Sequence, residues 1–286
     1  MTLWATLALN SVAFGGLLFL LSAGFSLIFG LMRIPNLMHG SLFMLGAYLG
    51  VTFSSSGLGF WGSALASAAA VGFLGALVER FLLRRLAGQE LAQVLLTLGF
   101  SFIIADVCLM VWTGDPIQPQ TPEGLKGAVM AGGLVFPLYR IAMVAVAVVV
   151  AICLWLLVER TRTGAMIRAS VDDAAIARVI GIRVSLLFTL VFFLGAGLAA
   201  FGGVVGAPYL SIYPGLDSEM LPLALIVVIL GGTGSLLGAL AGSFIIGFLY
   251  NFGQALLPDL SYVILFVPMV VVLTVRPQGL FGRGAF

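Results

Sequence analysis

Few residues of this 286-residue chain can do chemistry, and their spacing rules most of it out. Lys126 is the only lysine, and it sits in Gly124-Leu125-Lys126-Gly127. A loop that cradles nucleotide phosphates needs a longer glycine-rich turn followed by Lys and Ser or Thr. If ATP drives this protein, another chain binds it. His39, the only histidine, follows Pro35-Asn36 at a break in the apolar pattern and reads as a packing or hydrogen-bonding group. Asp106 is the only acid well inside an apolar run, and no basic residue lies near it in sequence. Proton or sodium coupling wants a chain of intramembrane acids and histidines, which is missing. Cys108 and Cys153 lie in apolar runs and read as small buried hydrophobes, not as a disulfide framework. With no metal-ligand cluster and no nucleophile–base set, the chain is expected to be no enzyme and to carry no cofactor.

Two further patterns bear on function. Glu159 to Arg183 is the most polar stretch, with five arginines (Arg160, Arg162, Arg168, Arg178, Arg183) beside Asp172 and Asp173. From Gly164 to Gly181 it consists of helix formers. Ala165, Ile167, Val171, Ala174, Ala175 and Val179 can form the apolar stripe of one or two short helices, with Gly181 as a natural C-terminal stop. A soluble partner could grip such a helix at the membrane face, although a solvated loop obeying the positive-inside rule has the same composition. Glycine recurs at four-residue spacing at Gly234, Gly238 and Gly242, at Gly202 and Gly206, and at Gly46 and Gly50. Such faces let helix backbones approach closely. The tract Gly231-Gly232-Thr233-Gly234-Ser235 fits equally a helix broken beside a pathway.

The elements that must hold these residues are membrane spans. Only 8% of the residues are charged, against about 25% in soluble domains, and mean hydropathy is +1.21. Lipid wets apolar side chains that a protein of this size cannot bury, and the apolar runs are continuous rather than alternating, so the fold class is all-α and polytopic. Spans of about 20 apolar residues are expected at Ser11–Met32, Leu37–Phe53, Trp61–Val78, Ala92–Trp112, Ile141–Val158 and Ser185–Val205. The stretch from Pro222 to Val275 fits two or three more, some short. Met1 to Asn10 lacks the basic start of a secretory signal, so the first run reads as a retained span. Ten of thirteen basic residues fall at Arg80 to Arg85, at Arg160 to Arg183, and at Arg276 and Arg283. The positive-inside rule places these in the cytoplasm. With Arg33 also inside, the N-terminus is outside, the C-terminus inside, and nine crossings are expected, or eight if a Gly-rich segment is re-entrant.

The residues Gly24-Phe-Ser-Leu-Ile-Phe-Gly30-Leu-Met-Arg33-Ile-Pro-Asn36-Leu-Met-His39-Gly40 through Tyr48 resemble the opening of permeases of branched-chain amino acid ABC importers, of the LivH type. So do Glu159-Arg-Thr-x-Thr-Gly164, Arg168-Ala169, Asp172 to Gly181, Gly231-Gly-x-Gly-Ser235, and the ending Arg276-Pro-Gln-Gly-Leu-Phe-Gly282. The resemblance runs in order along nearly the whole chain, which makes residues 1–286 one permease domain. It implies a bacterial inner-membrane subunit that pairs with a second permease (a related LivM-type chain or a copy of itself). It also implies two cytoplasmic ATPases that bind ATP, and a periplasmic or lipid-anchored binding protein. Lipid surrounds the complex and no nucleic acid is involved. On this resemblance residues 159–183 form the coupling loop, with Arg168, Asp172, Asp173, Arg178 and Gly181 as ATPase-coupling residues. Asn36, His39, Gly231, Gly232 and Gly234 are the candidates for a pathway or helix break. Asp173-Ala174-Ala175 precedes Gly181 by two residues more than the importer pattern Glu-Ala-Ala-x-x-x-Gly gives. Urea, short amides and other small organic solutes are alternative substrates, and an ion-coupled secondary transporter is the alternative mechanism.

Overall fold

The computed structural model describes residues 2–32, 35–131 and 134–282. Arg33 and Arg283, which enter the orientation argument, lie outside the described residues. Nine apolar α-helices carry the described part of the bundle: α1 (Thr2–Met32), α2 (His39–Phe53), α3 (Gly59–Phe81), α4 (Glu90–Trp112), α5 (Leu138–Trp155), and, after two short helices, α8 (Val184–Leu210), α9 (Leu216–Gly231), α10 (Leu236–Leu256) and α11 (Ser261–Val275). The short helices are α6 (Arg162–Asp172) and α7 (Ala174–Val179). Strands β1 (Ala128–Ala131) and β2 (Leu134–Pro137) pair as an antiparallel hairpin within the long polar connection before α5.

Among the described residues, six continuous helical stretches are long and apolar enough to cross a membrane. One of them, His39–Leu86, is two helices folded back on each other. The fold-back occurs where Gly57 and Gly59 take positive φ (+91° and +66°), a region that costs glycine little and other residues much. Ser67 Oγ of α3 then donates to the Gly46 carbonyl of α2 at 2.8 Å. The helices α2, α9 and α11 have only 15, 16 and 15 residues. At 1.5 Å per residue that is about 23 Å, short of the ~30 Å hydrocarbon core.

The centre of the bundle is α1, largely buried from Ser11 onward, with α8 beside it. Their contact depends on small residues: Gly24 of α1 meets Gly195 of α8, and Gly46 and Gly50 of α2 meet Ala200 and Val204 of α8. A hydrophobic drive between helices is weak in lipid, so such close backbone approach supplies the packing energy. By contrast α4 and α5 leave most of their surface open. Between the expected span Ser185–Val205 and the apolar stretch from Pro222 the sequence is rich in Pro, Gly and Tyr, yet α8 continues through Pro208 to Leu210, and α9 starts at Leu216. Only residues 211–215 are loop, so Asp217 and Glu219 belong to a helix.

Candidate functional site

The polar block 159–183 forms a platform at one end of the bundle. Thr161 Oγ1 caps α6 by accepting from Gly164 N at 3.0 Å. Asp173 Oδ1 caps α7 by accepting from Ala175 N at 2.8 Å and Ile176 N at 3.0 Å. These two caps satisfy otherwise orphaned amides and fix where each short helix begins. Ile167 packs with Leu31 at the end of α1 and with Leu187 and Val191 at the start of α8, which seats α6 on the bundle.

The coupling candidates fall into distinct settings. Arg168 is turned inward: its guanidinium bonds the Val158 carbonyl and pairs with Glu159 at 3.3 Å, tying α6 to the end of α5. Asp173 is a cap. Gly181 has φ +89° and ends α7's turn. Asp172 and Arg178 are exposed. Three aliphatic side chains stand open beside them: Ile176, Val179 and Ile180 are 61%, 87% and 67% exposed. Of these, Val179 lies on the apolar stripe expected from the sequence, whereas Ile176 and Ile180 do not figure in it. The signal was the spacing Ile176-x-x-Val179-Ile180, one face of a short helix. Three exposed aliphatic side chains at the tip of a capped, seated helix suit insertion into an apolar groove.

Beside the platform, a polar clamp joins α3 to α8. Glu79 is fully buried. Its Oε2 accepts from Arg84 Nη2 at 2.7 Å and from Thr189 Oγ1 at 2.7 Å. Arg84 Nη2 also donates to the Ser185 carbonyl at 2.7 Å. The clamp therefore fixes the start of α8, the helix that leads directly out of α7.

A second polar feature runs through the bundle between α2 and α4. The two helices run side by side with partners sixty residues apart: Leu37 N donates to Thr97 Oγ1 (3.2 Å), Ser41 pairs with Ser101 (2.7 Å), and Trp112 Nε1 donates to Thr52 Oγ1 (2.8 Å). Ser41 Oγ also donates to Asp217 Oδ2 at 2.7 Å, so the first turns of α2 and α9 meet deep in the bundle. Ser101 lies eleven residues before α4 ends at Trp112, about 16 Å along the helix. Both α2 and α9 thus begin inside the membrane thickness rather than at its edge, as the broken helices of transporters do.

Of the pathway candidates, His39 opens α2. Its Nε2 lies 3.0 Å from the Leu21 carbonyl, and its ring sits edge-on to Phe25 at 5.2 Å. Asn36 is buried just before it, with neither side-chain polar atom bonded among the described residues. Asn36, Gln93 and Thr97 border a cavity of about 10 Å³, at the lower limit for one water. Gln93 Oε1, Tyr48 Oη, Ser22 Oγ and His39 Nδ1 are likewise buried and unbonded among the described residues. Gly231, Gly232 and Gly234 lie elsewhere, at backbone contacts with Gly238, Gly282 and Gly30 respectively. The structure thus brings Asn36 and His39 together and keeps the glycine tract apart from them. Ser41, Ser101 and Asp217 were missed from sequence. The i, i+4 series Gln93, Thr97, Ser101 on α4 was the available signal.

Comparison with known proteins places the chain. The family described as branched-chain amino acid transport system, permease component, matches residues 7–273. The chain is 27% identical over 291 residues to the high-affinity branched-chain amino acid transport system permease protein BraD of Pseudomonas aeruginosa, covering 96% of this chain and 94% of that one. It is also 27% identical to LivH of Escherichia coli K12, a permease protein of the same description, with the same coverage. The autoinducer 2 import system permease protein LsrC of Klebsiella pneumoniae is 32% identical over 186 residues, 60% of this chain and 50% of LsrC. No solved structure matches.

Proposed function

The chain belongs to the branched-chain amino acid transport system permease family, and on that premise we propose that it is a membrane subunit of an ATP-driven importer of branched-chain amino acids in the bacterial inner membrane. One of two cytoplasmic ATPases docks on the platform of α6 and α7, and a second permease, which takes the other, completes the membrane unit. A binding protein delivers substrate on the opposite side. Arginine bias puts the platform and the C-terminus in the cytoplasm, with the N-terminus outside.

The observation that carries this reading is the seated, capped pair α6–α7 with its exposed aliphatic tip. ATP binding and hydrolysis on partner chains would move that tip. The Ile167 contacts with α1 and α8, and the Glu79–Arg84–Thr189 clamp, would pass the movement to the bundle as a rigid unit. The permease itself breaks no bond. Its task is to hold two access states whose balance ATP and the loaded binding protein shift by binding one better than the other. Selectivity among leucine, isoleucine and valine would rest mainly on the binding protein, with the apolar bundle tolerant of their side chains.

Import of another small solute, such as urea or a short amide, is the second reading; the LsrC relative, named for autoinducer 2 import, favours it. Purification of the tagged chain from its own host tests the central reading. Stoichiometric recovery of ATPase subunits and a second permease supports it, and recovery of this chain alone with gradient-driven uptake defeats it. Binding of leucine, urea and acetamide to the associated binding protein decides the substrate.

A further inference from the structure

Asp217 is a carboxylate placed where a cation would suit it. It is only 9% exposed, in the first turn of α9, and Ser41 Oγ donates to its Oδ2 at 2.7 Å. Among the described residues no bond reaches its other oxygen and no ion pair reaches the carboxylate. The field at the start of α9 favours negative charge. Even so, one hydroxyl donor is little for a carboxylate withdrawn from water. Ser101 Oγ lies 2.7 Å from Ser41 Oγ, so a carboxylate and two hydroxyls stand in a row. Ser101 is the central residue of α4 (Glu90–Trp112), about 16 Å from either end. That is the depth at which transporters hold substrate between broken helices.

Unpaired polar atoms flank this row along the seam between α2 and α4. On the platform side, Asn36 and Gln93 Oε1 are buried and unbonded among the described residues. On the other side, two turns along α2, so is Tyr48 Oη, whose ring stacks on Trp112 of α4 at 5.1 Å. Buried polar atoms are costly to leave unpaired, and a polar solute moving along the seam would pair with them in turn. The wall that can yield is α4: most of its surface is open, and its Gly99 meets nothing within 4 Å. A primary ammonium fits the row itself. It carries one positive charge and three donors, and Asp217, Ser41 and Ser101 offer oxygen acceptors a hydrogen bond apart.

We propose that Asp217, with Ser41 and Ser101, is the mid-membrane station that holds the ammonium group of an amino acid in transit, reached when α4 draws away from α2. Leucine, isoleucine and valine share that group, so the station passes all three and leaves their side chains to the apolar walls. A neutral solute such as urea would leave the charge on Asp217 unanswered. The inference rests on the reading of the chain as an amino acid permease. That reading fails if wild-type leucine uptake needs no ATP, whereas the station stands or falls on where leucine sits in the wild type and on the charge of Asp217.

The test uses proteoliposomes of the whole importer with its loaded binding protein. A leucine analogue bearing a side-chain diazirine, irradiated during turnover by the wild type, should label peptides within residues 36–48, 97–108 or 216–224, and excess leucine should compete the adduct away. Asp217→Asn should slow leucine uptake by about ten- to a hundredfold, the effect of losing a hydrogen bond to a charged group. The ATPases should still co-purify with that variant, and the loaded binding protein should still stimulate ATP hydrolysis. Ser101→Ala should slow uptake severalfold with the same hydrolysis. Adducts confined to other segments, or uptake by Asp217→Asn within twofold of wild type, would overturn the proposal. So would uptake that stops when sodium is replaced by choline, which would give the carboxylate to a metal ion. The wild-type adduct decides the matter even if Asp217→Asn fails to insert.

Discussion

Replacing Ile176 and Val179 together by aspartate should detach the ATPases without disturbing the bundle. The two side chains are 61% and 87% exposed, so little of either contributes to the folded core. Surface changes of this kind stay within about 0.5 kcal/mol of neutral. In a docked complex the same side chains would enter an apolar groove. Full burial of an aliphatic side chain stabilises by about 1.5–3 kcal/mol. Scaled by the surface still free on each, the pair supplies about 3 kcal/mol of association. That corresponds to roughly two orders of magnitude in Kd. Aspartate also resists desolvation, so the estimate is a floor. The assay is titration of the purified ATPase onto the detergent-solubilised permease, alongside a thermal melt of the permease alone. A Kd within threefold of wild type would refute the argument that the apolar tip carries docking.

Other perturbations separate docking from architecture. Arg168→Glu should weaken ATPase association as well, but through α6: the new carboxylate faces Glu159 and the Val158 carbonyl, so proteolysis of 159–173 should accelerate. Glu79→Gln leaves Arg84 with a weaker partner at a buried site and should lower stability by about 2 kcal/mol, seen as a drop in Tm. Gly46→Ala forces a methyl to within 2.6 Å of the Ala200 carbonyl oxygen and should cost about 2 kcal/mol. Gly99→Ala on α4 meets nothing within 4 Å and should be neutral or slightly stabilising by the same melt. Asn36→Leu removes two buried, unbonded polar atoms, so it should raise Tm while slowing uptake. A variant that loses Tm and uptake together would mark Asn36 as a structural residue.

Hydropathy made the helices legible because lipid imposes one simple rule, a long apolar run per crossing. The expected spans at Trp61–Val78 and Ala92–Trp112 fall inside α3 and α4. The same rule hid the start of α9. Asp217 and Glu219 look like loop residues in sequence, and only the Ser41–Asp217 bond, spanning 176 positions, shows that they lie inside the bundle. The platform was legible in outline, because arginines, Gly181 and the apolar stripe through Val179 mark it, but which members of that stripe would be open was not. Burial is a tertiary property: Ile167 and Val179 look alike in sequence, yet one is packed against α1 and α8 and the other projects outward. The clamp begins at Glu79, directly after the expected span Trp61–Val78. Its partner Thr189 is 110 positions away, beyond what local pattern can join.

The claim that energy enters this permease through α6 and α7 is tested most directly by uptake into vesicles. Proteoliposomes holding the permease pair and its ATPases, supplied with the loaded binding protein, should accumulate labelled leucine only when ATP is present on the platform side. The Ile176→Asp/Val179→Asp pair should abolish that uptake while the complex's membrane part stays intact. ATP-driven accumulation undiminished by the double substitution would contradict the account.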